Sequence, residues 1–296
     1  MLFIRMARPW FLAGAVLLYA LGVGIARYLG IQVDWGLYVL GQIWVTTLQL
    51  STHFLNEYFN SPADLDNPRR TPFSGGSGML GPGKLPRRTA LVAAATCLTG
   101  LASLTVLLIQ AGPDPAAYLI MILAFLGAFF YSTPPVRLEG SGYGELTTSF
   151  LVAFLVPAFG FLLQAGELHR LLAMTTFPLT ILHIAMLLAF ELPDYLHDVK
   201  HDKRTLMVRV GWQNGIMLHN LLILIAFLIL AIAALFGLPW FAAFPALLTL
   251  PVGLLQIWQM RQISNGQKPN WRALTLTAVV LFAVMAYLFT WAFWTR

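Results

Sequence analysis

Apolar positions along this chain run in long blocks and do not alternate with polar ones. Nine blocks can be drawn, at 10–30, 36–59, 89–111, 116–136, 146–165, 171–192, 215–237, 239–260 and 271–294. At ~1.5 Å of helical rise per residue, each is about long enough to cross a hydrocarbon layer of ~30 Å. The pattern predicts an all-α, polytopic membrane bundle of nine transmembrane helices, one integral-membrane domain over 1–296. The first block follows Arg5 and Arg8 and has no clear small-residue cleavage site before Arg27, so it reads as a retained helix and not as a secretory signal.

Composition narrows the class. The chain is 58% hydrophobic and only 10% charged, whereas a soluble domain carries about 25% charged residues. An ordinary water-soluble domain is excluded. The net charge of +6 carries no basic patch interleaved with exposed aromatics, so nucleic acid is not an expected partner and the charge reads as topology. Of the 18 Lys and Arg, 15 fall in alternate connections, leaving Arg27, Arg170 and Arg296 on the other side. The positive-inside rule then puts the N-terminus in the cytoplasm and the C-terminus outside. The long polar connections, about 60–88 and 193–214, lie on the cytoplasmic side, which is where functional loops are expected. The single cysteine, Cys97, sits in an apolar block, so no intrachain disulfide framework and no cysteine metal site is expected.

Nine of the 12 acidic residues (Glu57, Asp64, Asp66, Glu139, Glu145, Glu191, Asp194, Asp198 and Asp202) gather at the cytoplasmic ends of the blocks. Acids attached to membrane spans face a wet cavity and a partner, so this clustering implies a polar pocket. In the first cluster Asn56, Asn60 and Asp64 recur every four residues, a spacing that shares one helix face, with Glu57 beside them. Pro62 is expected to interrupt that helix, placing Asp64 on a turn and leaving Asp66 as a substitute. In the second, Asp194, Asp198 and Asp202 have the same spacing, Pro193 suits the first turn of a fresh helix, and Lys203 and Arg204 follow directly. Like charges on one face repel unless cations neutralise them. Oxygen ligands without a histidine pair or cysteines point to Mg²⁺, which takes carboxylates and substrate phosphates. With Arg69, Arg70, Lys203 and Arg204 nearby in sequence, the set describes a pyrophosphate site.

These residues resemble the UbiA-type membrane prenyltransferases, whose first motif is NDxxDxxxD and whose second is DxxxD. Here Asn56, Glu57, Asn60 and Asp64 stand for the first, and Asp194 and Asp198 for the second. DKRTLMVRVG resembles the stretch after the second motif in the dihydroxynaphthoate prenyltransferases of menaquinone synthesis, and NPRRTPFSGGSG and YSTPPVRLEGSGYGEL resemble further family segments. Two departures stand in the first motif: Glu57 where the family has aspartate, and Asn60 where it has its middle aspartate.

The resemblance implies transfer of an isoprenyl chain from an allylic polyprenyl diphosphate to an aromatic acceptor, in a bacterial or archaeal cell membrane, with the site facing the cytoplasm. It implies two Mg²⁺ held by Asn56, Glu57, Asn60, Asp64, Asp194, Asp198 and Asp202. Arg69, Arg70, Arg137, Lys203 and Arg204 would take phosphate charge, and Asp194, Asp198, Tyr131 and Lys203 would carry catalysis, Tyr131 by cation–π contact with the electron-poor carbon. His53 and His183 are weaker candidates for a base or an acceptor-binding group, and FSGGSG reads as a turn more readily than as a phosphate cradle. Other readings stay open: hydroxybenzoate or a tetrapyrrole as acceptor, a polyprenyl-lipid binder without turnover, and a cation-coupled transporter.

Overall fold

The computed structural model describes residues 2–64, 67 and 69–296, with the backbone alone for 62–64. The described residues are helical, with no strand beyond an isolated bridge between Leu80 and Leu85. In chain order the helices are α1 (Leu2–Met6), α2 (Pro9–Tyr28), α3 (Trp35–Asp64), α4 (Arg87–Gln110), α5 (Pro115–Ser132), α6 (Gly144–Ser149), α7 (Val156–Ala165), α8 (Arg170–Lys200), α9 (Leu206–Val210), α10 (Trp212–Leu235), α11 (Trp240–Leu247), α12 (Leu250–Ser264) and α13 (Trp271–Trp294). A 3₁₀ turn covers Leu138–Gly140, and a π-helical segment, Phe150–Leu155, joins α6 to α7.

Eight helical segments among the described residues are long and apolar enough to cross a membrane: α2, α4, α5, Gly144–Ala165, α8, α10, Trp240–Ser264 and α13. The remaining predicted block, 36–59, forms α3, a helix of 30 residues that is not one of the eight. Gln42, Thr46, Thr47, Gln49, Ser51 and Thr52 dilute its apolar run. Outward side chains such as Val92, Leu107, Leu119 and Leu228 stay exposed, while the inward faces of α2, α7, α8 and α13 form the main core. This distribution suits helices whose outer faces meet hydrocarbon.

Two expectations about proline need correcting. α3 continues through Pro62 to Asp64. A proline at 62 frees the carbonyl four residues back, and Arg87 Nε donates to that Tyr58 oxygen at 2.6 Å. Pro193 does not open a new helix, because α8 runs unbroken over Pro178 and Pro193 to Lys200. In a helical bundle, neighbouring groups and small local adjustments let a helix carry such prolines. The helix does stop before Asp202, which has a left-handed φ of 51°.

Small residues set the closest helix contact. A Cβ on Gly22 of α2 would overlap the Pro157 carbonyl oxygen of α7, and one on Gly160 would lie 2.7 Å from the Tyr19 carbonyl oxygen. The two backbones touch here, as small residues permit. Gly22→Val should therefore force α2 from α7 at a cost of roughly 1–3 kcal/mol and lower the melting temperature in detergent. Gly100→Ala on α4, where a Cβ meets nothing within 4 Å, should leave it unchanged or raise it. Equal melting temperatures for Gly22→Val and the parent chain would show that the contact is not close.

Candidate active site

A cavity of about 360 Å³ lies among α2, α3, α5, the α6–α7 unit, α8 and α13. Two helices supply most of its character by periodicity. On α3, Val45, Leu48, Gln49, Thr52, Asn56 and Asn60 face inward; on α8, His183, Leu187, Phe190, Glu191, Asp194 and Asp198 do. Both series run from apolar to polar along the helix, so the cavity has one greasy end and one charged end. From His183 to Asp198 the distance along α8 is roughly 22 Å at ~1.5 Å per residue. The π segment adds Leu151, Val152 and Leu155 to the apolar wall, and α13 adds Phe282. Such wide turns re-aim side chains, and they recur at functional sites.

The loop after α3 closes over the charged end. Phe73 stacks on Phe190, with ring centres 5.8 Å apart, and meets Phe11 edge-on at 6.3 Å. Ser74, Gly75 and Gly76 line the cavity beside it. Glu57 holds this loop down. It is 3% exposed and accepts from Arg8 at 2.6 Å, from the Ser77 amide at 2.9 Å and from the Ser77 hydroxyl at 2.6 Å. Arg8 reaches it from a left-handed residue, φ 53°, between α1 and α2, and also donates to Asn56 Oδ1 at 3.2 Å.

Four further acids at this end take donors from other segments. Glu139, on the 3₁₀ turn, accepts from Asn56 Nδ2 at 2.6 Å and Asn60 Nδ2 at 2.5 Å. Asp194 accepts from Asn67 Nδ2 at 2.8 Å. Glu145 accepts from the Leu206 amide at 3.1 Å and Glu191 from the Met207 amide at 3.0 Å, so both hold the start of α9. Lys203 enters the cavity on the turn between α8 and α9, and Tyr131 and Thr205 line it. Deeper in, His183 Nδ1 and Ser149 Oγ share a hydrogen bond of 2.9 Å, while His53 Nδ1–H donates to the Ala7 carbonyl at 2.9 Å.

Among the described residues the lining holds five acids, Glu139, Glu145, Glu191, Asp194 and Asp198, against the cations Arg8 and Lys203. Among the described residues Glu139 Oε1 is buried without a hydrogen-bond partner. This hard-oxygen, negative set fits a divalent cation. Among the described residues no three His, Cys, Asp or Glu stand close enough to hold a metal by themselves.

Residues 15–279 match the UbiA prenyltransferase family. This chain is a member of that family. It is 22% identical, over 72% of its own length and 67% of the relative's, to the 1,4-dihydroxy-2-naphthoate octaprenyltransferase of Bacillus subtilis (strain 168). Its fold is similar to that of a digeranylgeranylglyceryl phosphate synthase, with TM-score 0.68 and 14% identity over 100% of this chain and 98% of the other. It is similar also to a UbiA homologue from Archaeoglobus fulgidus bound to GPP and Mg²⁺, with TM-score 0.67 and 16% identity over the whole of both chains.

Within this UbiA-family chain the structure gathers Asn56, Asn60, Tyr131, Asp194, Asp198 and Lys203 around the cavity. Other expected site residues are elsewhere. Glu57 lies one helical step off the lining face, with Arg8 and Ser77 on its oxygens. Asp202 is exposed and pairs with exposed Arg204 at 3.3 Å, because α8 ends before it and the shared helix face is lost. Arg137 is exposed with φ 45° at the start of the 3₁₀ turn. Arg69 and Arg70 line a separate concavity. The Asp64 side chain and Asp66 lie outside the described residues.

Arg8, Asn67, Glu139, Glu145 and Glu191 also line the cavity, although none is among the site residues expected from sequence. The three glutamates carried a signal, an acid at the end of an apolar block; Arg8 and Asn67 carried none. Arg8→Ala should leave Glu57 buried and uncompensated, at a cost of roughly 3–5 kcal/mol. Lower melting temperature and faster proteolysis within 67–86 would register this, and adding Glu57→Gln should recover part of it. A variant as stable as the parent would deny the ion pair any structural role.

Proposed function

We propose that this protein moves a polyprenyl chain from its allylic diphosphate to an aromatic acceptor in quinone synthesis, with dihydroxynaphthoate as the favoured acceptor. The observation that carries the reading is the polarity gradient of one cavity, acids and Lys203 at one end and hydrocarbon at the other. A prenyl diphosphate has the same gradient. The relative that acts on 1,4-dihydroxy-2-naphthoate supports the acceptor, and the homologue bound to GPP and Mg²⁺ supports the donor and the metal.

Asp194, Asp198, Asn56 and Asn60 would hold Mg²⁺ at the diphosphate, with Glu139 beside them. Bound there, the metal neutralises the leaving pyrophosphate and so eases cleavage of the allylic C–O bond. Lys203 and Arg8 add positive charge at the same end. Phe73, Phe190 and the apolar wall keep water from the electron-poor carbon, which would otherwise yield the prenyl alcohol. Tyr131 offers its ring face to the developing positive charge. The acceptor's ring carbon then forms the new C–C bond, and its proton leaves with the pyrophosphate.

We read α3 as a ninth span, with the N-terminus and the charged end of the cavity cytoplasmic and the C-terminus outside. The division of basic residues supports this orientation. The transporter reading has less support. Asp34 accepts from the Leu37 amide and Asp114 from the Ala116 amide, so both serve as local caps, and neither lines the cavity.

The purified protein, incubated with allylic diphosphates of several lengths and a panel of naphthoate, benzoate and tetrapyrrole acceptors, should yield a prenylated aromatic and pyrophosphate detectable by mass spectrometry. Asp194→Ala and Asp198→Ala should each lower turnover by about 10²–10³-fold while the protein stays folded. Near-normal turnover in either variant would refute these roles.

Asn60→Asp replaces a donor to Glu139 with a carboxylate facing it. Like charges at this distance need a cation between them. The variant should melt lower than the parent without Mg²⁺, gain more on its addition, and reach full activity at lower Mg²⁺. Unchanged Mg²⁺ dependence, together with a strong loss in Asp66→Asn, would move the metal away from Asn60.

A further inference from the structure

Arg69 and Arg70 open onto a concavity of about 490 Å³ that Lys268 and Arg272, from the other end of the chain, complete. Trp271 forms part of its wall, and among the described residues no carboxylate lines it. A basic rim made only for topology would let its side chains spread, since like charges repel. Here two segments distant in sequence bring four cations to one hollow. Among the described residues Arg69, Lys268 and Arg272 form no ion pair with an acid. The N-terminal end of α13 opens into the same hollow, adding the positive pole of a 24-residue helix.

The loop that walls this hollow also walls the candidate active site. The Arg69 amide donates to Asn67 Oδ1 at 2.9 Å, and Asn67 Nδ2 donates to Asp194 Oδ1 at 2.8 Å. Arg70 Nε donates to the carbonyl of Gly75 at 2.7 Å, and Gly75 lines the inner cavity.

We propose that the hollow is a second phosphate-binding site, separate from the cavity of Asp194 and Asp198. Its ligand is a phosphate group, carried either by an anionic membrane lipid or by free phosphate or pyrophosphate. Guanidinium groups grip phosphate oxygens in bidentate fashion, Lys268 adds a point charge, and an indole beside them suits the headgroup layer. Binding there is independent of prenyl transfer, and the test reads binding alone.

Native mass spectrometry of the full chain in neutral detergent with EDTA can count adducts of dioctanoyl phosphatidic acid, dioctanoylglycerol and pyrophosphate. Adducts of phosphatidic acid or pyrophosphate should exceed those of the uncharged lipid by about tenfold, and Lys268→Gln with Arg272→Gln should remove most of them. Retention of phosphatidic acid alone names the lipid headgroup as the source; retention of pyrophosphate alone names the soluble ion. In the unmutated chain the bound probe should also slow acetylation of Lys268 several-fold relative to exposed Lys84, which requires no variant to fold. Equal adducts with charged and uncharged probes, equal adducts in parent and folded double variant, or unaltered acetylation of Lys268 would overturn the proposal.

Discussion

A carboxylate beside hydrocarbon must be given hydrogen-bond donors or a cation, and this requirement organises the charged end of the bundle. Glu57 takes Arg8 and Ser77, Glu139 takes two asparagine amides, and Asp194 takes Asn67. Glu145 and Glu191 take the first amides of α9. In each case the donor comes from a different segment than the acid. The acids are therefore the points at which the loops are tied to the helices. Removing a donor exposes the bundle to an uncompensated charge, which is why the connections here are ordered around the acids and not around an apolar seam.

The same network leaves a surplus of negative charge facing the cavity. Donors from the protein satisfy some carboxylate oxygens, while Glu139 Oε1 stays buried without one among the described residues. A cavity whose described residues include five acids against two cations is prepared for positive charge from outside. The apolar continuation of the cavity along α8, lined in part by the π segment, gives the hydrocarbon part of a ligand a place on the same axis. Charge surplus and greasy channel together support the proposed lipid diphosphate with a divalent cation over a simple ion path.

Much of the architecture was legible in the chain. Blocks of apolar residues must bury their backbone polar groups as helices wherever hydrocarbon is the solvent, so block length and helix position correspond closely. The inward placement of Asn56, Asn60, Asp194 and Asp198 follows from helical spacing alone, as these residues share lining faces on α3 and α8. All four lie within residues 15–279, the stretch that matches the UbiA prenyltransferase family.

Tertiary structure decided what spacing could not. Asp202 keeps the interval of four from Asp198, yet α8 ends at Lys200 and a left-handed turn sends it outward. Pro62 looked like a break, yet Arg87, from a helix beyond a long loop, takes the carbonyl it frees. Arg69 and Arg70 adjoin the first motif in sequence but face Lys268 and Arg272. Arg8 and Glu139 lie far from either motif in sequence and meet Asn56 through it. The physical reason is common to all four. Helical periodicity is a local property and is written in the chain, whereas the partner that satisfies a charge or a freed carbonyl is whichever group the packing of distant segments brings within hydrogen-bond reach.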